Sequence, residues 1–138
     1  PEVVRPTFDG SLRLEAVHAE IYGPSVVLEK QYGNLGYWAS EEDHAAWEIE
    51  VAKAGKYAVS LDWACHANNS GNRFQLQTAD GRLTGTVAST GTWETYRQTK
   101  IGEVMLKAGR QRIVFRSEGR ITGGALIDLR GLRLVLVP

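Results

Sequence analysis

Apolar and polar residues alternate along most of this chain. Trp47, Ile49 and Val51 fall on one side of a stretch whose other side is Ala46, Glu48 and Glu50. Tyr57, Val59, Leu61 and Trp63 repeat the pattern, as do Phe74, Leu76 and Thr78, then Ile113 and Phe115, and finally Leu132, Leu134 and Leu136. A period of two is what a half-buried strand requires, because successive side chains point to opposite faces. Turn signals separate the runs. Lys53-Ala54-Gly55-Lys56 and Lys107-Ala108-Gly109-Arg110 are near copies, and Ala79-Asp80-Gly81-Arg82 supplies the Asp-Gly step of a hairpin. Short strands at this spacing, about eight to ten, predict an all-β, two-sheet antiparallel β-sandwich of the jelly-roll type. Both chain ends are strand-like, so the N- and C-terminal strands are expected to pair in one sheet. Ser40-Glu41-Glu42-Asp43 resembles a helix start. The strand alternation from Trp47 onward overrides it, leaving a short turn before a strand.

The 138 residues allow one core of ordinary size, so residues 1–138 are read as one domain. The 15 glycines against 4 prolines suit tight connections between strands, and a hydrophobic content of 43% is enough to build a core. No apolar run approaches the roughly 20 residues of a membrane-spanning helix, and no membrane partner is expected. The opening Pro1-Glu2-Val3-Val4 carries neither an initiator methionine nor a secretion signal, which suggests a segment excised from a larger protein. Cys65 is alone, so neither a disulfide framework nor a thiolate metal cluster is available.

Charge is balanced in sum and uneven in distribution. Residues 1–50 hold ten acids and three bases, whereas residues 97–138 hold nine bases and three acids. A basic third can serve nucleic acid, but no nucleic-acid-binding motif accompanies it. Pairing of the first and last strands would neutralise the two regions instead, and that reading is preferred.

Catalytic patterns are missing from the sequence: there is no G-x-S-x-G, P-loop or H-E-x-x-H. Glycoside hydrolysis needs two carboxylates on opposite sides of a sugar. The adjacent Glu41, Glu42 and Asp43 read as a solvated loop, and His18, His44 and His66 lack zinc-site spacing. The chain is therefore not expected to be an enzyme. Trp47 and Trp63 lie on apolar strand faces and belong to the core. Trp93 follows the small polar turn Ser89-Thr90-Gly91-Thr92, and Trp38 lies in the irregular Asn34-Leu35-Gly36-Tyr37-Trp38. Rings exposed at loops can stack on the apolar face of a sugar while nearby amides and guanidinium groups bond its hydroxyls. Asn69, Asn72 and Arg73, in the polar loop Asn68–Arg73, are candidates for those bonds; an ordinary solvated turn is the equal alternative. Asn68-Asn69-Ser70 also matches a glycosylation sequon.

The order of motifs resembles family 6 carbohydrate-binding modules and their family 35 and 36 relatives over nearly the full chain. It is carried by Leu14-Glu15-Ala16-Val17, Gly36-Tyr37, Glu42-Asp43-His44-Ala45-Ala46-Trp47 and Ala54-Gly55-Lys56-Tyr57. Thr90-Gly91-Thr92-Trp93, Leu106-Lys107-Ala108-Gly109 and Leu126-Ile127-Asp128 follow in order. The resemblance implies the same β-sandwich and a sugar held between two aromatic groups, with an asparagine near the C-terminus. On this chain the turn tryptophan is Trp93, the opposing position is His44, and the asparagine position is Leu126, so two of the three depart from the family pattern. The resemblance also implies a structural calcium at Glu15 and Asp128, although Val17 replaces a further carboxylate; the alternative is a vacant site with Glu15 paired to an arginine. The implied function is non-catalytic targeting of a secreted bacterial protein, extracellular or periplasmic, to a polysaccharide or glycan by a monomeric module. The alternative is a structural module that packs on a neighbouring domain of the parent protein without binding sugar.

Overall fold

The computed structural model describes residues 2–138; Pro1, where the expected excised segment begins, lies outside them. The described residues form twelve strands and two single-turn 3-10 helices. One sheet holds β1 (Val3–Val4), β3 (Glu20–Tyr22), β6 (His44–Val51), β8 (Arg73–Thr78), β9 (Gly81–Thr86) and β11 (Gly109–Ser117). The other holds β2 (Leu12–Glu15), β4 (Val27–Glu29), β5 (Asn34–Gly36), β7 (Gly55–Ala64), β10 (Arg97–Leu106) and β12 (Asp128–Leu136). All pairings are antiparallel except β1 with β6. This is the two-sheet sandwich that the alternation predicts.

The core follows the period-two pattern. Trp47, Ile49 and Val51 of β6 meet Ile113 and Phe115 of β11 on the inner face of the first sheet. Tyr57, Val59, Leu61 and Trp63 of β7 and Leu132 and Leu134 of β12 line the second. Trp47 and Trp63 are buried as expected, and each indole N–H donates to a backbone carbonyl, of Glu15 and Ala88 respectively. A buried indole left without an acceptor would carry a desolvation cost, so these bonds are part of why tryptophan fits there.

The last strand, β12, pairs with the second strand, β2, with Leu132 opposite Leu14. The two residues of β1 instead run parallel to β6 in the other sheet. Charge neutralisation also occurs elsewhere than expected. Arg110 and Arg112 of β11 pair with Glu48 of β6 and Glu20 of β3, and Arg133 pairs with Asp9. The basic third lies beside the acidic third because β11 and β6 are neighbours.

The turn before β6 is built on Asp43, and the solvated-loop reading fails there. Asp43 is fully buried and accepts from the backbone N–H groups of Ser25, Val26, Ala39 and Ser40 and from the Ser25 hydroxyl. Burial pushes its carboxyl up, but these hydrogen bonds outweigh it and hold the group below the ordinary carboxylate range. Asp43 thereby ties the segment before β4 to the turn before β6. Gly23 has φ +113°, and a Cβ there would meet the Asp43 Cα at 2.5 Å, so only glycine lets the two segments approach this closely.

Candidate functional site

Among the described residues, an aromatic-walled cleft of about 510 Å³ opens at one end of the second sheet. It lies where β4, β5, the start of β12 and the segment before β10 converge. Tyr32, Tyr37, Trp93 and Tyr96 line it with Glu29, Asn34, Glu94, Gly124, Ala125, Asp128 and Arg130.

Local backbone conformation sets the walls. Tyr37 follows β5 with φ 56°, the one non-glycine residue with positive φ among those described, and its ring is 69% exposed. A tyrosine held in the left-handed region at a cleft is strained in a way that often accompanies function. Trp93 is half-buried, packed against the core on one side and facing the cleft on the other. Its turn is anchored by the buried Thr90, whose hydroxyl oxygen accepts from the Cys65 N–H at 2.9 Å. The Tyr96 ring carries the Arg130 guanidinium over it at 3.6 Å from the centroid, and Arg130 Nε donates to the Tyr32 carbonyl. Burial, then the negative Asp128, push the Tyr96 phenol up to about 12, so it stays protonated and able to donate.

The floor is acidic. Burial, followed by repulsion from Glu29 and Glu94, pushes Asp128 up to about 7. Asn34 is 1% exposed and donates its amide to Glu29 at 3.0 Å, and its Oδ1 has no hydrogen-bond partner.

Of the residues singled out in the sequence, only Trp93 and Asp128 face this cleft. Trp38, expected at an exposed loop, is fully buried: its indole N–H donates to the Asp43 carbonyl, and its ring meets Phe115 edge-on at 5.7 Å. The hydrophobic gain from burying so large a ring overrides the irregular sequence around it. His44 lies in the other sheet, stacked on Tyr22 at 5.0 Å, and is not part of the cleft. Tyr37, from the Gly36-Tyr37 motif, stands in the cleft with Trp93 instead.

The polar loop is engaged within the protein. Asn72 is nearly buried, donates to the carbonyls of Thr122 and Ala125, and accepts from the Thr122 N–H. Asn69 donates to the Gly123 carbonyl, and Arg73 pairs with Glu118 and Thr86. Asn69 and Asn72 brace the 122–125 segment, which presents Gly124 and Ala125 to the cleft, and none of the three lines it. Leu126, at the position where the resemblance places asparagine, is fully buried, and its N–H donates to the Trp38 carbonyl.

Glu15 and Asp128 do not form a calcium site. Glu15 is exposed and opposes Gly131, three residues along β12 from Asp128, a separation on the order of 10 Å. Among the described residues no group of three or more carboxylate, histidine or cysteine side chains has metal-holding geometry. Two separated carboxylates fall short of the six to eight oxygens calcium takes (roughly), and this pair does not fit the ion.

The fold is that of carbohydrate-binding modules of families 35 and 6. A family 35 module from Clostridium thermocellum superposes with a TM-score of 0.76 at 16% identity, over 92% of this chain and 98% of the module. The family 6 module of Cellvibrio mixtus lichenase 5A, solved with cellotriose, superposes with a TM-score of 0.70 at 18% identity, over 91% and 97%. The insecticidal crystal protein Cry2Aa shares the architecture as well, with a TM-score of 0.71 at 11% identity, over 91% of this chain and 21% of that one. No family model and no curated protein matches the chain in sequence. The likeness is one of fold, and function has to be argued from the site.

Proposed function

We propose that this chain is a non-catalytic carbohydrate-binding module that holds a larger extracytoplasmic protein near a polysaccharide or glycan. The observation that carries the reading is the exposed Tyr37 ring facing the same cleft as Trp93 on a fold shared with such modules. Flat aromatic faces remove the apolar faces of a sugar ring from water, and the Tyr96 hydroxyl, the Arg130 guanidinium and the carboxylates supply the hydrogen-bonding groups its hydroxyls need. The module acts as a monomer and performs no chemistry; the lone Cys65 thiol is buried and pushed up to about 11, chiefly by burial, which makes it a poor nucleophile.

A shallow cleft buries little of a well-hydrated ligand, so a dissociation constant on the order of 0.1 mM, about −5.5 kcal/mol, is expected. Calorimetry against plant, algal and microbial polysaccharides tests the reading. Trp93→Ala should remove most of the binding, since one aromatic face carries much of the apolar contact. Binding that survives Trp93→Ala and fades with salt would reduce the interaction to charge attraction and reject the proposed site.

A further inference from the structure

The aromatic walls of the cleft suit any sugar ring, but its ionisable groups do not. Three carboxyl groups, Glu29, Glu94 and Asp128, face it against the single cation Arg130. That cation is engaged: its guanidinium lies over Tyr96 at 3.6 Å, and its Nε donates to Tyr32.

The acidic groups also converge. A Cβ built on Gly36 would collide with Glu29 Oε1 and lie 3.0 Å from Asp128 Oδ1 and 3.2 Å from Asn34 Nδ2. Two carboxylates from β4 and β12 therefore flank one point beside β5. A second feature points the same way: Asn34, whose amide donates to Glu29, lines the same cleft, is 1% exposed, and leaves its carbonyl Oδ1 without a donor. A buried acceptor without a donor is costly, and the donor lacking here is one that a ligand can bring.

We propose that the cleft selects a sugar carrying a free ammonium group, a 2-amino-2-deoxyhexose unit of a chitosan-like polymer, with Tyr37 and Trp93 on the ring and Glu29, Glu94 and Asp128 around the ammonium. This rests on the carbohydrate-binding reading of the same cleft. Several features favour the ammonium over other sugar substituents. A uronic acid would add a further negative charge to a floor where burial, and then repulsion from Glu29 and Glu94, already raise Asp128 to about 7. A neutral hydroxyl would leave the mutual repulsion of the carboxylates in place. An N-acetyl group would bring bulk and no charge. An ammonium carries three donors and one positive charge into a cluster of acceptors.

The test is calorimetry at neutral pH and moderate salt with equal-length oligomers of glucosamine, N-acetylglucosamine, glucose and galacturonic acid. The glucosamine oligomer should bind at least ten-fold more tightly than the glucose oligomer, about 1.4 kcal/mol. In Glu94→Gln and in Glu29→Gln, checked for unchanged melting, that ratio should fall toward one. Equal or tighter binding of the N-acetylated, neutral or acidic oligomer, including acidic-oligomer binding that needs added calcium, would overturn the charge selection and leave the sugar-binding reading standing. A preference that persists in both glutamine variants, or spermidine binding as tightly as the glucosamine oligomer, would overturn it too. Failure of every oligomer to bind would overturn both readings together.

Discussion

Three tryptophans show how the environment of a single residue decides its role. Trp38 and Trp47 are enclosed and hydrogen-bonded to backbone carbonyls, whereas Trp93 has one face on the core and one on the cleft. Trp38→Ala should therefore cost about 3–5 kcal/mol of stability through cavity formation, while Trp93→Ala costs clearly less and acts on binding. Chemical denaturation of the two variants checks the contrast; a larger loss for Trp93→Ala would move that ring into the core and out of the binding account. Asp128 adds a pH dependence of its own. Its folded value is raised from 3.8 to about 7, so the folded chain keeps a proton that the unfolded chain releases between those limits. The favourable contribution is complete below the unfolded value and is lost as pH rises through the folded one. Asp128→Asn should flatten that part of the stability curve and leave the protein more stable than the parent at mildly alkaline pH. Melting curves across that range test it, and an unchanged slope would contradict the assignment.

At the scale of elements, the cleft depends on segments that do not themselves touch a ligand. Asn72, at the foot of β8, holds the 122–125 segment through three hydrogen bonds to its backbone, two donated and one accepted. Asn72→Ala leaves those groups to water or unpaired, at about 1–3 kcal/mol. The expected outcome is a modest fall in melting temperature together with weaker glycan binding, because Gly124 and Ala125 lose their position. An affinity equal to the parent's would show that the segment does not shape the site. The long strands were legible because period-two alternation is a local signal: β6, β7 and β11 fall where their apolar residues recur. Non-local features were less so. Nothing near Trp38 reveals that Phe115, far along the chain, will cover it. His44 sits one residue from Asp43, but it leaves the turn along β6 into the opposite sheet, away from Trp93. Tyr37 was legible only as part of the Gly36-Tyr37 motif of the family resemblance; its outward turn depends on a backbone angle that sequence pattern does not report.

For the molecule as a whole, the sandwich supplies a frame and keeps the groups that line the cleft at one end of one sheet. The opposite sheet presents a different surface, where Tyr22, His44 and Arg112 stack and pair with Glu20 and Glu48. Tyr22, Arg112, Glu20 and Glu48 hydrogen-bond and pair with one another there, which argues against that group as the sugar site. The same frame is found in part of an insecticidal crystal protein and in carbohydrate-binding modules, so the cleft residues, and not the fold, have to carry the functional claim. The most direct measurement is an amide and indole chemical-shift titration of the isotope-labelled protein with soluble glycan fragments. The account predicts shifts centred on Tyr37, the Trp93 indole, Tyr96 and the 124–125 backbone, with Tyr22, His44 and Arg112 unmoved. Saturable shifts centred on the Tyr22–His44–Arg112 face, or none with any glycan, would contradict it.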